Sequence, residues 1–120
     1  MNKKTLVFGA SLKPERYSNL VVKRLVDKNI DVSAFGLRSG EIHGVTISTT
    51  LLPYKDVHTV TLYMNPERQK MYYDYIVSLT PERVIFNPGT ENTEFYHILK
   101  EQNIPFEVAC NLVLLSTDQY

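Results

Sequence analysis

The residues most able to do chemistry in this chain cluster in one short stretch, Gly9-Ala10-Ser11-Leu12-Lys13-Pro14-Glu15-Arg16-Tyr17-Ser18-Asn19. Its small residues, two cations and three hydroxyls are good material for holding an anion. The stretch follows Thr5-Leu6-Val7-Phe8, which reads as a buried strand, and runs at once into a helical pattern. A strand, a tight turn and a helix start bring unpaired backbone N–H groups and the positive helix end to one point, the physical recipe for binding a phosphate or pyrophosphate. Lys13 and Arg16 lie where they can reach the same anion. The implied ligand is nucleotide-like and held by its phosphates.

The elements that must position this loop follow from periodicity. Leu20, Val21, Val22, Leu25 and Val26 recur at helical spacing behind Ser18 as the expected cap. Residues 31–35 form a second strand, 36–44 a glycine-rich loop, and 45–47 a third strand at the sheet edge. Residues 57–63 are β-branched and aromatic and read as a strand. Asn65-Pro66-Glu67 opens a helix with a cap, a proline and an acid in order, and Tyr72, Tyr75, Ile76 and Leu79 continue it until Thr80-Pro81. Residues 83–86 form a strand, Asn87-Pro88-Gly89-Thr90 a turn, and a helix carries Phe95, Ile98 and Leu99 inward until Asn103. Residues 106–109 form the last strand. Strands alternating with helices predict an α/β fold: a doubly wound, mainly parallel sheet of five to six strands with helices on both faces. Ligands in such sheets sit at the carboxyl ends of the strands, which here gathers the loops 9–19, 36–44, 64–66 and 87–92 on one edge.

Bulk properties narrow the function. The 120 residues fit one domain spanning 1–120. Thirteen basic residues balance thirteen acidic ones, so no global field draws the chain to nucleic acid or to an anionic membrane. No apolar run approaches the roughly 18 residues of a membrane span, and the first residues lead into a strand instead of a signal peptide. A single cysteine, Cys110, excludes an intrachain disulfide and a thiolate-rich zinc site. A cytoplasmic address follows. His43, His58 and His97 have no metal or triad spacing, and Cys110 reads as a small buried hydrophobe. No catalytic or metal-ligating residue is therefore assigned, and the chain reads as a binding protein more than an enzyme.

The opening motif Val7-Phe8-Gly9-Ala10-Ser11-x-Lys13-Pro14-x-Arg16-x-Ser18 resembles that of the small stand-alone CoA-binding proteins of bacteria. These share a Rossmann-like fold with the CoA-binding domain of the succinyl-CoA synthetase alpha subunit. Asn87-Pro88-Gly89-Thr90-Glu91-Asn92 is similar to the family's Pro-Gly-x-x-Asn turn, and residues 109–113 to its closing segment around a cysteine. The resemblance implies CoA or an acyl-CoA as ligand, with Gly9, Ala10, Ser11, Lys13, Arg16 and Ser18 at its phosphates and Pro88 and Gly89 flanking it. Where the family often has Asn-Pro after the second strand, this chain has Gly36-Leu37-Arg38. Arg38 either holds a ribose phosphate, as CoA carries at its 3′ and NADP at its 2′ position, or is a solvated loop charge. The alternative function is a small NAD(P)-binding oxidoreductase or redox sensor. Ser11 and Pro14 stand where a G-x-G-x-x-G fingerprint needs glycine, and no acid follows the second strand, which counts against NAD. A third reading is an interaction module that has lost its ligand, against which intact Lys13, Arg16 and Gly89 count. The expected partner is a small nucleotide ligand, with a protein partner or homo-oligomer left open.

Overall fold

A computed structural model describes residues 3–120. Seven strands make one sheet: β1 (Thr5–Phe8), β2 (Val32–Phe35), β3 (Gly40–Ile42), β4 (Val45–Ser48), β5 (Thr59–Leu62), β6 (Arg83–Phe86) and β7 (Phe106–Val108), in the order β3-β4-β2-β1-β5-β6-β7. All neighbours pair in parallel except β3 with β4. The helices are α1 (Tyr17–Asp27), α2 (Pro66–Gln69), α3 (Tyr73–Ser78), α4 (Thr93–Glu101) and α5 (Asn111–Ser116), with a 3₁₀ turn, Lys70–Tyr72, between α2 and α3.

Both faces of the sheet are covered, as a parallel sheet requires. Leu6, Phe8, Phe35, Val60, Leu62 and Phe86 pack against the α2–α3 segment and α4. Val7, Ala34 and Ile47 face the other way, against Val21, Val22 and Leu25 of α1 and Leu115 of α5. None of the helices is long and apolar enough to cross a membrane among the described residues.

The doubly wound architecture is the one the sequence predicts, with differences at its margins. There are seven strands instead of five to six, because residues 36–44 are not all loop: Gly40–Ile42 folds back on β4. The hairpin turn is His43-Gly44, with φ of 51° and 81°, the two positive angles that match the twist of a tight hairpin. Strand 45–47 consequently lies inside the sheet, and β3 and β7 are its edges. Helix α1 starts at Tyr17 with Arg16 as its uncapped N-cap, so Ser18 is a buried second helical residue and caps nothing. The segment after Asn65 is helical but broken by the 3₁₀ turn, and α5 is an additional helix.

The register places the functional edge. Phe8 pairs with Phe35 on one side and with Leu62 on the other, and Leu62 pairs with Phe86. Four strands therefore end level, and Gly9, Gly36, Tyr63 and Asn87 leave the sheet at one height. The winding direction reverses between β1 and β5, where the crossovers diverge and leave a crevice open to a ligand.

Candidate ligand-binding site

The loop after β1 is built on its neighbours' backbones. The amides of Gly9 and Ala10 both donate to the Phe35 carbonyl, each at 2.8 Å. Gly9 has φ +104°, and a Cβ there would lie 3.0 Å from the Tyr63 carbonyl carbon, so both its conformation and its packing against β5 demand glycine. On the other side a Cβ on Gly36 would lie 2.3 Å from the Ala10 carbonyl oxygen. The exits of β2, β1 and β5 are thus pressed together, and the loop is spent locally on structure up to Ala10.

Beyond Ala10 the loop is held from behind and open in front. Asn19, 4% exposed, donates from Nδ2 to the Ser11 carbonyl at 3.0 Å, while its Oδ1 is 2.7 Å from His43 Nε2 in the hairpin turn. The Ser11 hydroxyl accepts the Lys13 amide at 3.1 Å, and the Arg16 amide donates to the Lys13 carbonyl at 3.1 Å. Among the described residues nothing accepts a hydrogen bond from the amides of Ser11, Leu12, Tyr17 or Ser18. The helix start has neither a side-chain cap nor an acid in its first turn. An N-terminus left in this state is complementary to an anion.

These groups face a cleft of about 830 Å³ at the switch point, also lined by the exits of β2, β5 and β6. Four cations line it: Lys13, Arg16, Arg38 and Arg68. All four are exposed, no carboxylate is among the lining residues, and none of the four has an ion-pair partner among the described residues. Elsewhere Lys23, Lys28, Lys70 and Arg83 each meet an acid within 3.5 Å. A chain of zero net charge has therefore concentrated unpaired positive charge in one concavity, which focuses its field on an incoming anion.

Behind the β6 exit, Asn87 (1% exposed) donates to Thr61 Oγ1 at 2.8 Å and to the Leu62 carbonyl at 2.9 Å, and accepts the Asn111 amide at 2.8 Å. This lock fixes Pro88 at the cleft. Tyr63 also lines the cleft, and burial of its hydroxyl pushes its pKa well above the ordinary tyrosine value.

The sequence-derived candidates converge. Gly9, Ala10, Ser11, Lys13, Arg16, Ser18, Arg38 and Pro88 all line this one cleft. Gly89 does not: its φ of +92° shapes the turn, and its amide is taken by the Glu91 carboxylate at 2.8 Å. Of the histidines, His43 supports the loop through Asn19, whereas His58 and His97 lie off the lining. Cys110 is half-buried at the start of α5 and is not a lining residue. No group of three or more metal-ligating side chains occurs among the described residues. Sequence reasoning missed Arg68, Gly36 and Tyr63.

Comparison with known proteins bears on the family and the fold. The family model described as CoA binding domain matches residues 3–116. An uncharacterized protein of known crystal structure is 43% identical over 100% of this chain and 99% of its own, with a TM-score of 0.97. A hypothetical protein from Pyrococcus horikoshii OT3 is 27% identical over 97% of this chain and 83% of its own, at a TM-score of 0.85. The cell-free ID.343 protein from Thermus thermophilus, 24% identical over 99% of this chain and 91% of its own, shares the fold at a TM-score of 0.85. No protein of curated function matches the chain.

Proposed function

This chain belongs to the CoA binding domain family, and from that premise we propose that it binds CoA or an acyl-CoA in the cleft above β2, β1 and β5. The observation that carries the reading is the set of four unpaired cations beside four unbonded loop and helix-start amides, with no acid among them. CoA matches it in kind, with a pyrophosphate and a separate ribose phosphate.

In this arrangement the pyrophosphate lies against the amides of Ser11, Leu12, Tyr17 and Ser18, with Lys13 and Arg16 closing over it. The ribose of a nucleotide bound to a doubly wound sheet meets the loop after the second strand. There this chain supplies Arg38 where an NAD site supplies an acid, which suits a ribose phosphate. Pro88 bounds the cleft on the far side. Binding without a reaction is the simplest role: among the described cleft residues no nucleophile is hydrogen-bonded to a base, the pairing that activated nucleophiles need.

The test is thermal denaturation with ligands at matched concentration. A ligand that binds only the folded chain at a hundredfold excess over Kd stabilises it by about 2.7 kcal/mol, a shift on the order of 10 °C for a domain of this size. CoA produces this shift and NAD does not. A larger shift with NAD or NADP than with CoA transfers the reading to a nicotinamide-dependent redox protein.

A further inference from the structure

We propose that Arg68 is the second jaw of the phosphate site, gripping the pyrophosphate from the β5 side on the phosphate farther from the adenosine. This rests on the CoA reading above and names a contact that the loop after β1 does not supply.

The switch point gives the argument its geometry. Neighbouring strands lie about 4.8 Å apart, and the order β2-β1-β5 spaces Arg38, the Lys13–Arg16 pair and Arg68 across the cleft in that sequence. With the ribose on the β2 side, the pyrophosphate runs from the β1 loop toward β5, and its distal phosphate arrives at the first turn of α2. Arg68 lines the cleft there. Its backbone is fixed: its amide donates to Asn65 Oδ1 at 2.9 Å. The next residue, Gln69, is fully buried and donates to the Met64 and Thr90 carbonyls at 2.8 and 2.9 Å while accepting from Asn92 at 2.9 Å. The guanidinium on this rigid turn has no partner among the described residues, and the adjacent acid, Glu67, turns to Lys70 at 3.5 Å instead. A fixed backbone carrying a free, planar, two-pronged donor into the cleft is an arrangement for an anion brought by a ligand.

Titration calorimetry of wild type and Arg68→Ala with three ligands separates the phosphates: CoA, dephospho-CoA, and adenosine 3′,5′-bisphosphate, which lacks the distal phosphate. The variant is expected to weaken CoA and dephospho-CoA alike, by about tenfold or more, and to bind the bisphosphate within about twofold of wild type. Arg68→Lys, which keeps the charge without the fork, recovers part of the loss, whereas a merely structural role would show no such recovery and a lowered melting temperature without ligand. Loss for CoA but not dephospho-CoA means Arg68 reads the ribose phosphate and overturns the proposal, as does an equal loss for all three ligands. Unchanged CoA affinity in Arg68→Ala overturns it while the CoA reading stands. A wild-type protein that binds none of the three overturns the CoA reading itself.

Discussion

Gly36→Ala adds one methyl group and should damage the site from a residue that lies behind it. The new Cβ would sit 2.3 Å from the Ala10 carbonyl oxygen and 3.0 Å from Ile47 Cγ2. The oxygen belongs to the backbone and has no rotamer to swing away. Restoring even a tight contact of about 3.3 Å separates the β1 and β2 exits by roughly 1 Å, and overpacking of this kind destabilises by about 1 to 3 kcal/mol. The same movement pulls on the two hydrogen bonds from Gly9 and Ala10 to the Phe35 carbonyl, each worth roughly 0.5 to 1.5 kcal/mol net. Replacing glycine restricts the unfolded chain and returns about 0.4 to 1 kcal/mol. A net loss of about 3 kcal/mol lowers the melting temperature by on the order of 10 °C. Because Ala10 leads into Ser11 and Gly36 into Arg38, both sides of the cleft move, and binding sites tolerate only about 0.5 Å of misplacement. CoA affinity should fall at least tenfold. Gly44→Ala is the control: φ there is +81° and, its chain neighbours aside, no atom of the described residues lies within 4 Å of the added Cβ, so it carries strain of roughly 1 to 2 kcal/mol with no new contact at the cleft and reaches the loop only through the His43–Asn19 contact. Calorimetric binding and thermal melts on both variants decide the matter. A Gly36→Ala protein that melts within about 2 °C of wild type, or a Gly44→Ala protein that loses as much affinity, refutes the reasoning.

Two further outcomes are expected. Lys13→Ala and Arg16→Ala each weaken CoA by about tenfold or more with melting temperature nearly unchanged, since both side chains are exposed and unpaired; full affinity in either variant, measured by calorimetry, removes that cation from the site. Burial, with Tyr54 adding to it, pushes the Tyr75 pKa up to about 12, and its hydroxyl donates to the Leu52 carbonyl. The folded value lies above the unfolded one, so this stability is fully present below pH ~10 and lost as pH rises toward 12; urea midpoints against pH should fall less steeply there for Tyr75→Phe, and parallel curves refute the assignment.

The sequence carried the core of this fold because its local signals agreed with its tertiary ones. Residues 83–86 are a strand by composition and by register, and Asn65-Pro66 caps a helix where a cap is expected. What local pattern failed to show is what tertiary contact decides. The α2–α3 segment breaks at Lys70–Tyr72, next to Gln69, which is held inside by Met64, Thr90 and Asn92, partners up to 23 residues away. Helix α5 has only six residues, too few to persist on propensity alone, and depends on Asn87 accepting its first amide and on Leu112 and Leu115 packing toward α1. The hairpin β3–β4 turns at a histidine instead of the asparagine or aspartate that marks such turns, so the glycines around it read as a loop. Gly36, by sequence one residue of a glycine-rich loop, is a glycine of close approach. Arg68 joins the site only because β5 lies beside β1, a neighbour relation that periodicity does not encode.

The cleft residues also explain one another energetically. A serine or aspartate at the N-cap of α1 would stabilise the helix by about 0.5 to 2 kcal/mol, yet Arg16 occupies that position and caps nothing. Lys13, Arg16, Arg38 and Arg68 share one cleft that no acid lines, and like charges gathered there repel one another. Each of these features is unfavourable in the protein alone, and a pyrophosphate bound as proposed would relieve them together, accepting from the uncapped amides and neutralising the cations. Independent local penalties that share a single remedy are hard to explain as accidents of a solvated loop. They are the expected condition of a site kept open for an anion, in which stability withheld from the free protein reappears as affinity for the ligand.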